Sequence, residues 1–264
     1  MKIEVTPMDD ELAKGHEGRI AWILGAADQR EFAGLLASTL PSTNKQKPAK
    51  PSRLSQLAAH AKMSPTDYAA NHSMLPVLRI AARHGETFAH GAIESESFSR
   101  RLGMLTQKFG AYICTACVNE DLKKRQFSWY HRQHHLYGVD WCPTHEVVLT
   151  KVNAKNPWAA MPHHWIESEN IESESSLDYD QQEMVFLRRY VEISAFLLNR
   201  AIPMDVRAIR HLIASQATAL GLRTSANGQR STISDQVLLK APANWLKMVD
   251  DNYLGRLTTT MLAG

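Results

Sequence analysis

The sequence predicts a mainly α-helical protein: a helical, helix-turn-helix-like N-terminal unit, a small zinc-knuckle module and a helical C-terminal unit. Three observations predict it. Apolar residues recur at helical spacing in the first ninety residues and again after residue 183, and all three cysteines of the 264-residue chain fall between 114 and 142. Two polar stretches, 41–53 and 167–183, interrupt the helical pattern. The boundaries that follow are 1–95 for the first unit, 96–165 for the zinc-binding module, and 166–264 for an acidic linker with the C-terminal helices.

The first helical pair is written in Leu12, His16, Ile20, Ile23 and Leu24, followed by Phe32, Leu35 and Leu36. His16 falls on the apolar side and reads as a core-edge histidine without a chemical role. The stretch PSTNKQKPAKPSR at 41–53 carries three prolines with Lys45, Lys47, Lys50 and Arg53, and reads as a linker. After it, RLSQLAAHAKMSPTDYAANHSMLPVLRIAARHG reads as a helix, a turn at Lys62 to Ser64, and a second helix capped by Ser64 with Pro65 at its first position. Two helices joined this way either read DNA with the second helix or simply pack in a helical domain.

Residues 167–183, ESENIESESSLDYDQQE, hold seven acids and no base; without them the formal net charge of +3 becomes +10 for the rest of the chain. Serine and acid without apolar periodicity cannot bury a face, so the run reads as a solvated linker. Beyond it, EMVFLRRYVEISAFLLNR at 183–200 reads as a strong helix, apolar over more than half its surface. DVRAIRHLIASQATAL and APANWLKMVDD add two more, so the C-terminal part is a small helical unit.

The chain has no run of about 18 apolar residues and no basic-then-apolar secretory start, which predicts a cytoplasmic protein without membrane attachment. Thiols stay reduced there, so an odd cysteine count with a Cys-x-x-Cys pair points to metal or catalysis and not to a disulfide framework. Cys114 and Cys117 form one knuckle, and Cys142 with His145 forms a second after 24 intervening residues. Each knuckle offers two donors from one tight turn, as tetrahedral zinc requires. Three thiolates and an imidazole fill the shell, so the expected cofactor is one structural Zn2+ per chain. His131, His134 and His135 could stand in for His145; the symmetric spacing favours His145.

Catalytic readings fail on the same residues. His145-Glu146 opens like a metalloprotease helix, but Leu149 stands where the second histidine belongs. Zinc deaminases need His-x-Glu upstream of Pro-Cys-x-x-Cys, and here the order is reversed. The sequence has no phosphate-binding Gly-rich loop and no nucleophile elbow, so it is read as a non-enzyme. Between the knuckles, Lys123, Lys124, Arg125 and Arg132 alternate with Phe127, Trp129 and Tyr130. That composition suits nucleic-acid or partner contact, or else a solvated loop. Trp129, Tyr130 and Leu136 are assigned to packing around the metal.

The run Cys114-x2-Cys117-x-x-Glu120-Asp121, followed by WYHRQHHLYGVDWCPTHEVVL, resembles the TniQ family of transposition proteins. PMDDELAKGHEGRIAWILG is similar to that family's opening, and NHSMLPVLR to its His-Ser/Thr segment, so the resemblance covers residues 7 to about 150. The chain departs from the pattern at Glu146, where glycine is usual, and at His135, where glutamine is common. The resemblance implies an adaptor that recognises target DNA or an RNA-guided Cascade-type complex. Such an adaptor recruits an AAA+ ATPase, which in turn licenses the transposase, and it leaves room for a homodimer. The alternative is a sequence-specific, zinc-containing DNA-binding regulator that uses the helix-turn-helix near 54–72.

Overall fold

The computed structural model describes residues 3–39, 51–173, 179–222 and 232–250. Its elements follow in chain order as α1 (Ala13–Leu24), α2 (Gln29–Thr39), α3 (Arg53–His60), α4 (Pro65–His72), α5 (Leu75–Leu78), β1 (Ala81–Ala82), α6 (Glu96–Leu102) and β2 (Tyr112–Ile113). Then come α7 (Thr115–Arg125), β3 (Thr150–Val152), α8 (Pro162–Glu167), β4 (Ile171–Ser173), α9 (Gln181–Leu198), β5 (Met204–Asp205), α10 (Val206–Ala219), α11 (Ile233–Lys240) and α12 (Ala243–Val249). The protein is mainly helical, and none of these helices is long and apolar enough to cross a membrane.

The N-terminal helices close on one apolar cluster that includes Ile20, Phe32, Leu36, Leu54, Leu57, Tyr68 and Leu75. α1 stops at Gly25, whose φ of +66° lets its N–H turn back to the Trp22 carbonyl. Ile23, expected on the buried side, lies at the surface because the helix ends there. Gly18 is needed for closeness: a Cβ there would lie 1.9 Å from the Trp158 carbonyl oxygen. His16 is fully buried, donates from Nε2 to the Val5 carbonyl and accepts from the Tyr68 hydroxyl at Nδ1. Burial pulls its pKa down to about 3, so it is a neutral core histidine.

Ser52 caps α3 through the Ser55 N–H, and Ser64 caps α4 through the Asp67 N–H with Pro65 next to it. The turn between them passes through Lys62 at a φ of +54°. α4 buries Tyr68, Ala69 and His72 and shows Asp67 and Asn71 to solvent. The first linker expected from sequence lies outside the described residues except at its end, where Ser52 and Arg53 open α3.

A larger apolar cluster draws on the whole chain: Leu12, Met74 and Val77 meet Ile113, Val118, Leu136 and Trp141, and these meet Leu187, Val191 and Trp245. α12, too short to persist alone, is anchored by Trp245, which lies edge-on to Tyr190 and Phe186 and donates from Nε1 to the Gly138 carbonyl. β2, β3 and β4 form a three-stranded antiparallel sheet, and β1 pairs in parallel with β5. The acidic run is therefore not a linker throughout. Ile171 to Ser173 form the edge strand β4, while 174–178 lie outside the described residues. A further helix, α11, stands between the two expected after α9; Thr232 and Asp235 close its N-terminus as a capping box. α9 buries Leu187, Val191 and Leu198 and leaves Val185, Ile193 and Phe196 exposed.

Arg132, grouped by sequence with the basic contact residues, is only 2% exposed. Its Nε bonds Asp10 Oδ1 at 3.1 Å, one terminal nitrogen donates to the Ala70 and Ser73 carbonyls, and the other reaches Asn199 Oδ1 at 3.0 Å. It therefore cannot present charge to nucleic acid. It joins the N-terminal segment, the end of α4 and the end of α9. Asp10 is 28% exposed and keeps water, but the Ala70, Ser73 and Asn199 acceptors would lose their donor, which costs about 1–3 kcal/mol for a buried group left unpaired. Arg132→Ala is therefore expected to lower the denaturant midpoint by an equivalent amount, with an unchanged slope. Arg132→Lys should recover little, since an ammonium cannot reach the three segments from one plane.

Candidate metal centre

Cys114 is the N-cap of α7, and its Sγ accepts the Cys117 N–H at 3.5 Å. One helical turn thus presents two sulfurs to the same point. The second knuckle is closed by backbone: the Cys142 N–H donates to the Val147 carbonyl at 2.7 Å and the Glu146 N–H to the Cys142 carbonyl at 2.8 Å. Glu146 completes the turn with a φ of +51°, in the left-handed region that favours glycine.

These turns bring Cys114, Cys117, Cys142 and His145 together, with all four donor atoms within 4.8 Å of one another. The sulfurs of Cys117 and Cys142 are 3.5 Å apart, and His145 Nδ1 lies 3.6, 3.3 and 3.6 Å from Cys114, Cys117 and Cys142. A tetrahedron with metal–sulfur bonds of about 2.3 Å and metal–nitrogen bonds of about 2.0 Å has edges of about 3.5–3.8 Å. The donor set therefore fits one tetrahedral metal ion. The three thiols are buried, and without a cation they cannot all ionise. Hydrogen bonds from Cys117 and Cys142 hold the Cys114 thiol far below its usual range, while its partners are pushed up.

The fourth donor is chosen by a residue to which sequence reasoning assigned no role. Glu120 Oε1 lies 2.9 Å from His145 Nε2. The carboxylate holds the proton on Nε2, so the Nδ1 lone pair faces the sulfurs, as outer-shell carboxylates do at metal-bound histidines. The hydrogen bond to Glu120 also raises the His145 pKa. The sequence signal was present: Glu120 follows Cys117 by three residues on α7 and shares its face.

Two of the competing histidines are engaged elsewhere, and the third, His134, faces a sulfur of the centre. His131 Nε2 pairs with Asp121 Oδ2 at 3.0 Å. His135 donates from Nδ1 to the His131 carbonyl and accepts the Tyr112 N–H at Nε2, and burial pulls its pKa down to about 3. His134 Nε2 lies 3.8 Å from Cys117 Sγ. It is fully buried, and that desolvation keeps it neutral.

Trp129, Tyr130 and Leu136 are buried, and Tyr130 packs edge-on to Trp158 with ring centres 4.8 Å apart. Lys123, Lys124 and Arg125 share the exposed last turn of α7, where cations also complement the helix dipole. Lys124 makes a 3.3 Å pair with Glu120. Arg132 does not share this surface; it is the buried pin described above.

The family profile described as TniQ matches residues 2–149, a span that contains the whole metal centre. No curated protein matches the chain.

Elemental analysis of the purified protein is expected to give one metal ion per chain, retained in His134→Ala and lost in His145→Ala. Metal content following His134 instead would move the fourth donor. Glu120→Gln should keep the ion but weaken its affinity about tenfold to a hundredfold, measured by competition with a chelator.

Proposed function

The chain belongs to the TniQ family, which is associated with target-site selection in transposition, and on that premise we propose a non-enzymatic targeting adaptor. The adaptor recognises target DNA, or an RNA-guided Cascade-type complex, and recruits an AAA+ ATPase that regulates the transposase. It acts in the cytoplasm and meets the transposase only through that ATPase. Family membership over residues 2–149 is the observation that carries this reading.

The centre supports it chemically. With zinc as the ion, one per chain, three thiolates and His145 complete a tetrahedral shell, so no position remains for water or substrate and the role is structural. Such sites contribute on the order of 10 kcal/mol to folding, comparable with the total stability of a domain, about 5–15 kcal/mol. The zinc therefore holds α7 and the second knuckle in place. Lys123, Lys124 and Arg125 form a positive surface on α7, the helix that carries Cys117. The solvent side of α4 carries Asp67 and Asn71 and no lysine or arginine, so it does not favour a DNA-reading second helix.

Deleting the gene is expected to abolish insertion at the preferred target while leaving strand cutting by the transposase intact on a preassembled substrate. An unchanged insertion pattern would overturn the adaptor reading. If DNA is met directly, charge reversal at Lys123, Lys124 and Arg125 should weaken binding. The slope of log affinity against log salt should then fall by about one unit for each phosphate that the variant no longer neutralises. A variant that binds as before at matched salt would place the DNA-binding surface elsewhere.

A further inference from the structure

The segment after α5 is tied by backbone to the segment after α9. The Met204 N–H donates to the Ile80 carbonyl at 2.8 Å, β1 pairs with β5, and the His90 N–H donates to the Ala201 carbonyl at 2.9 Å. These links bring together three basic side chains that neither the metal centre nor the α7 surface uses: Arg79, His90 and Arg200.

The terminal nitrogens of Arg79 donate to the Phe88 and Glu86 carbonyls, which leaves its Nε over. Arg79 Nε, Arg200 Nε and both ring nitrogens of His90 are buried and have no hydrogen-bond partner among the described residues. His90 is 1% exposed and Arg79 6%. Burial, followed by the charges of Arg79 and Arg200, pulls the His90 pKa down to about 4. At neutral pH the ring is therefore uncharged and still has one N–H to donate. Asp205, the acid at the end of β5, is already engaged by His84 at 3.1 Å and by the first N–H groups of α10.

Buried polar groups without partners are rare in native proteins, and a cluster of them calls for a ligand. Water could take up the N–H groups, but an anion would in addition meet two cations, Arg79, which lies over the Phe98 ring, and the half-buried Arg200. An oxyanion answers both needs, because hydrogen bonds to it from guanidinium are charge-assisted. A carboxylate offers two acceptor atoms in one plane, whereas a tetrahedral oxyanion offers acceptors toward side chains arriving from separate segments. We propose that Arg79, His90 and Arg200 form a binding site for a phosphate group, at the junction of the segment after α5 and the end of α9. The group is either a free phosphate or a phosphate of a nucleic-acid backbone.

Calorimetric titration of the full chain with inorganic phosphate in a low-salt zwitterionic buffer tests this. One saturable site per chain is expected. Arg200→Gln and His90→Leu should each weaken binding at least tenfold, and Arg210→Gln on the exposed face of α10 should not. Phosphate should also raise the melting temperature of the parent protein and not of the two site variants. Absence of saturable binding at millimolar phosphate, or equal binding in Arg200→Gln and His90→Leu, overturns the proposal. If His90→Leu alone fails to fold, Arg200→Gln decides. A phosphodiester oligonucleotide that displaces phosphate, where its neutral methylphosphonate counterpart does not, identifies the backbone as the source. Saturable phosphate binding that neither displaces identifies free phosphate.

Discussion

A single buried guanidinium holds three distant parts of this chain in register. Arg132 reaches Asp10 near the N-terminus, the Ala70 and Ser73 carbonyls at the end of α4, and Asn199 at the end of α9. A planar group with five fixed donors can do this, and a lysine cannot. The backbone reinforces it, because the Arg132 N–H donates to the Asp10 carbonyl and the Gln133 N–H to the Asp10 carboxylate. Leu12 and Tyr130 extend the same pairing. Once this seam is set, the intervening loop cannot move without exposing a charge. Trp129, Tyr130 and Leu136 are thereby placed in the core.

The metal centre sits against this seam. Its own apolar surround is small, with Leu149 buried beside the cysteines and Tyr112 and Ala116 packed on the outside. So small a cluster buries little apolar surface of its own. The histidines between the knuckles divide the remaining work: His131 binds Asp121, His134 lies against Cys117, and His135 links two backbone groups. His135 supplies one donor and one acceptor.

Glu146 takes a left-handed backbone conformation at some cost. A non-glycine residue in the left-handed region costs roughly 1–2 kcal/mol. Its fork to Arg188 on α9, two contacts of 2.9 Å with both side chains about half exposed, is screened by solvent and returns little of this. The pair therefore orients α9 against the second knuckle more than it stabilises the fold. The same helix reaches the core through Leu187 and Val191. The C-terminal helices are in this way attached to the metal module by apolar contact and by one surface ion pair.

The sequence by itself determined the short-range features. Helical periodicity located α1 to α4 and α9, Ser64 with Pro65 marked the start of α4, and two knuckles 24 residues apart predicted the four donors that the fold brings together. All of these depend on residues within a few turns of one another, so local spacing is enough. Only the tertiary structure decided the rest. Arg132 reads as a surface base beside Lys123 to Arg125, and it is buried because Asp10, Ala70 and Asn199 arrive from elsewhere. Ile171 to Ser173 read as linker and become a strand because β3 offers an unpaired edge. His145 stands with the three sulfurs while Glu120 meets its other ring nitrogen, and His131 and His135 are held by other partners. In each case the deciding group lies far away in sequence or across a turn of helix. Burial and pairing are properties of the meeting of segments, which spacing along the chain does not encode.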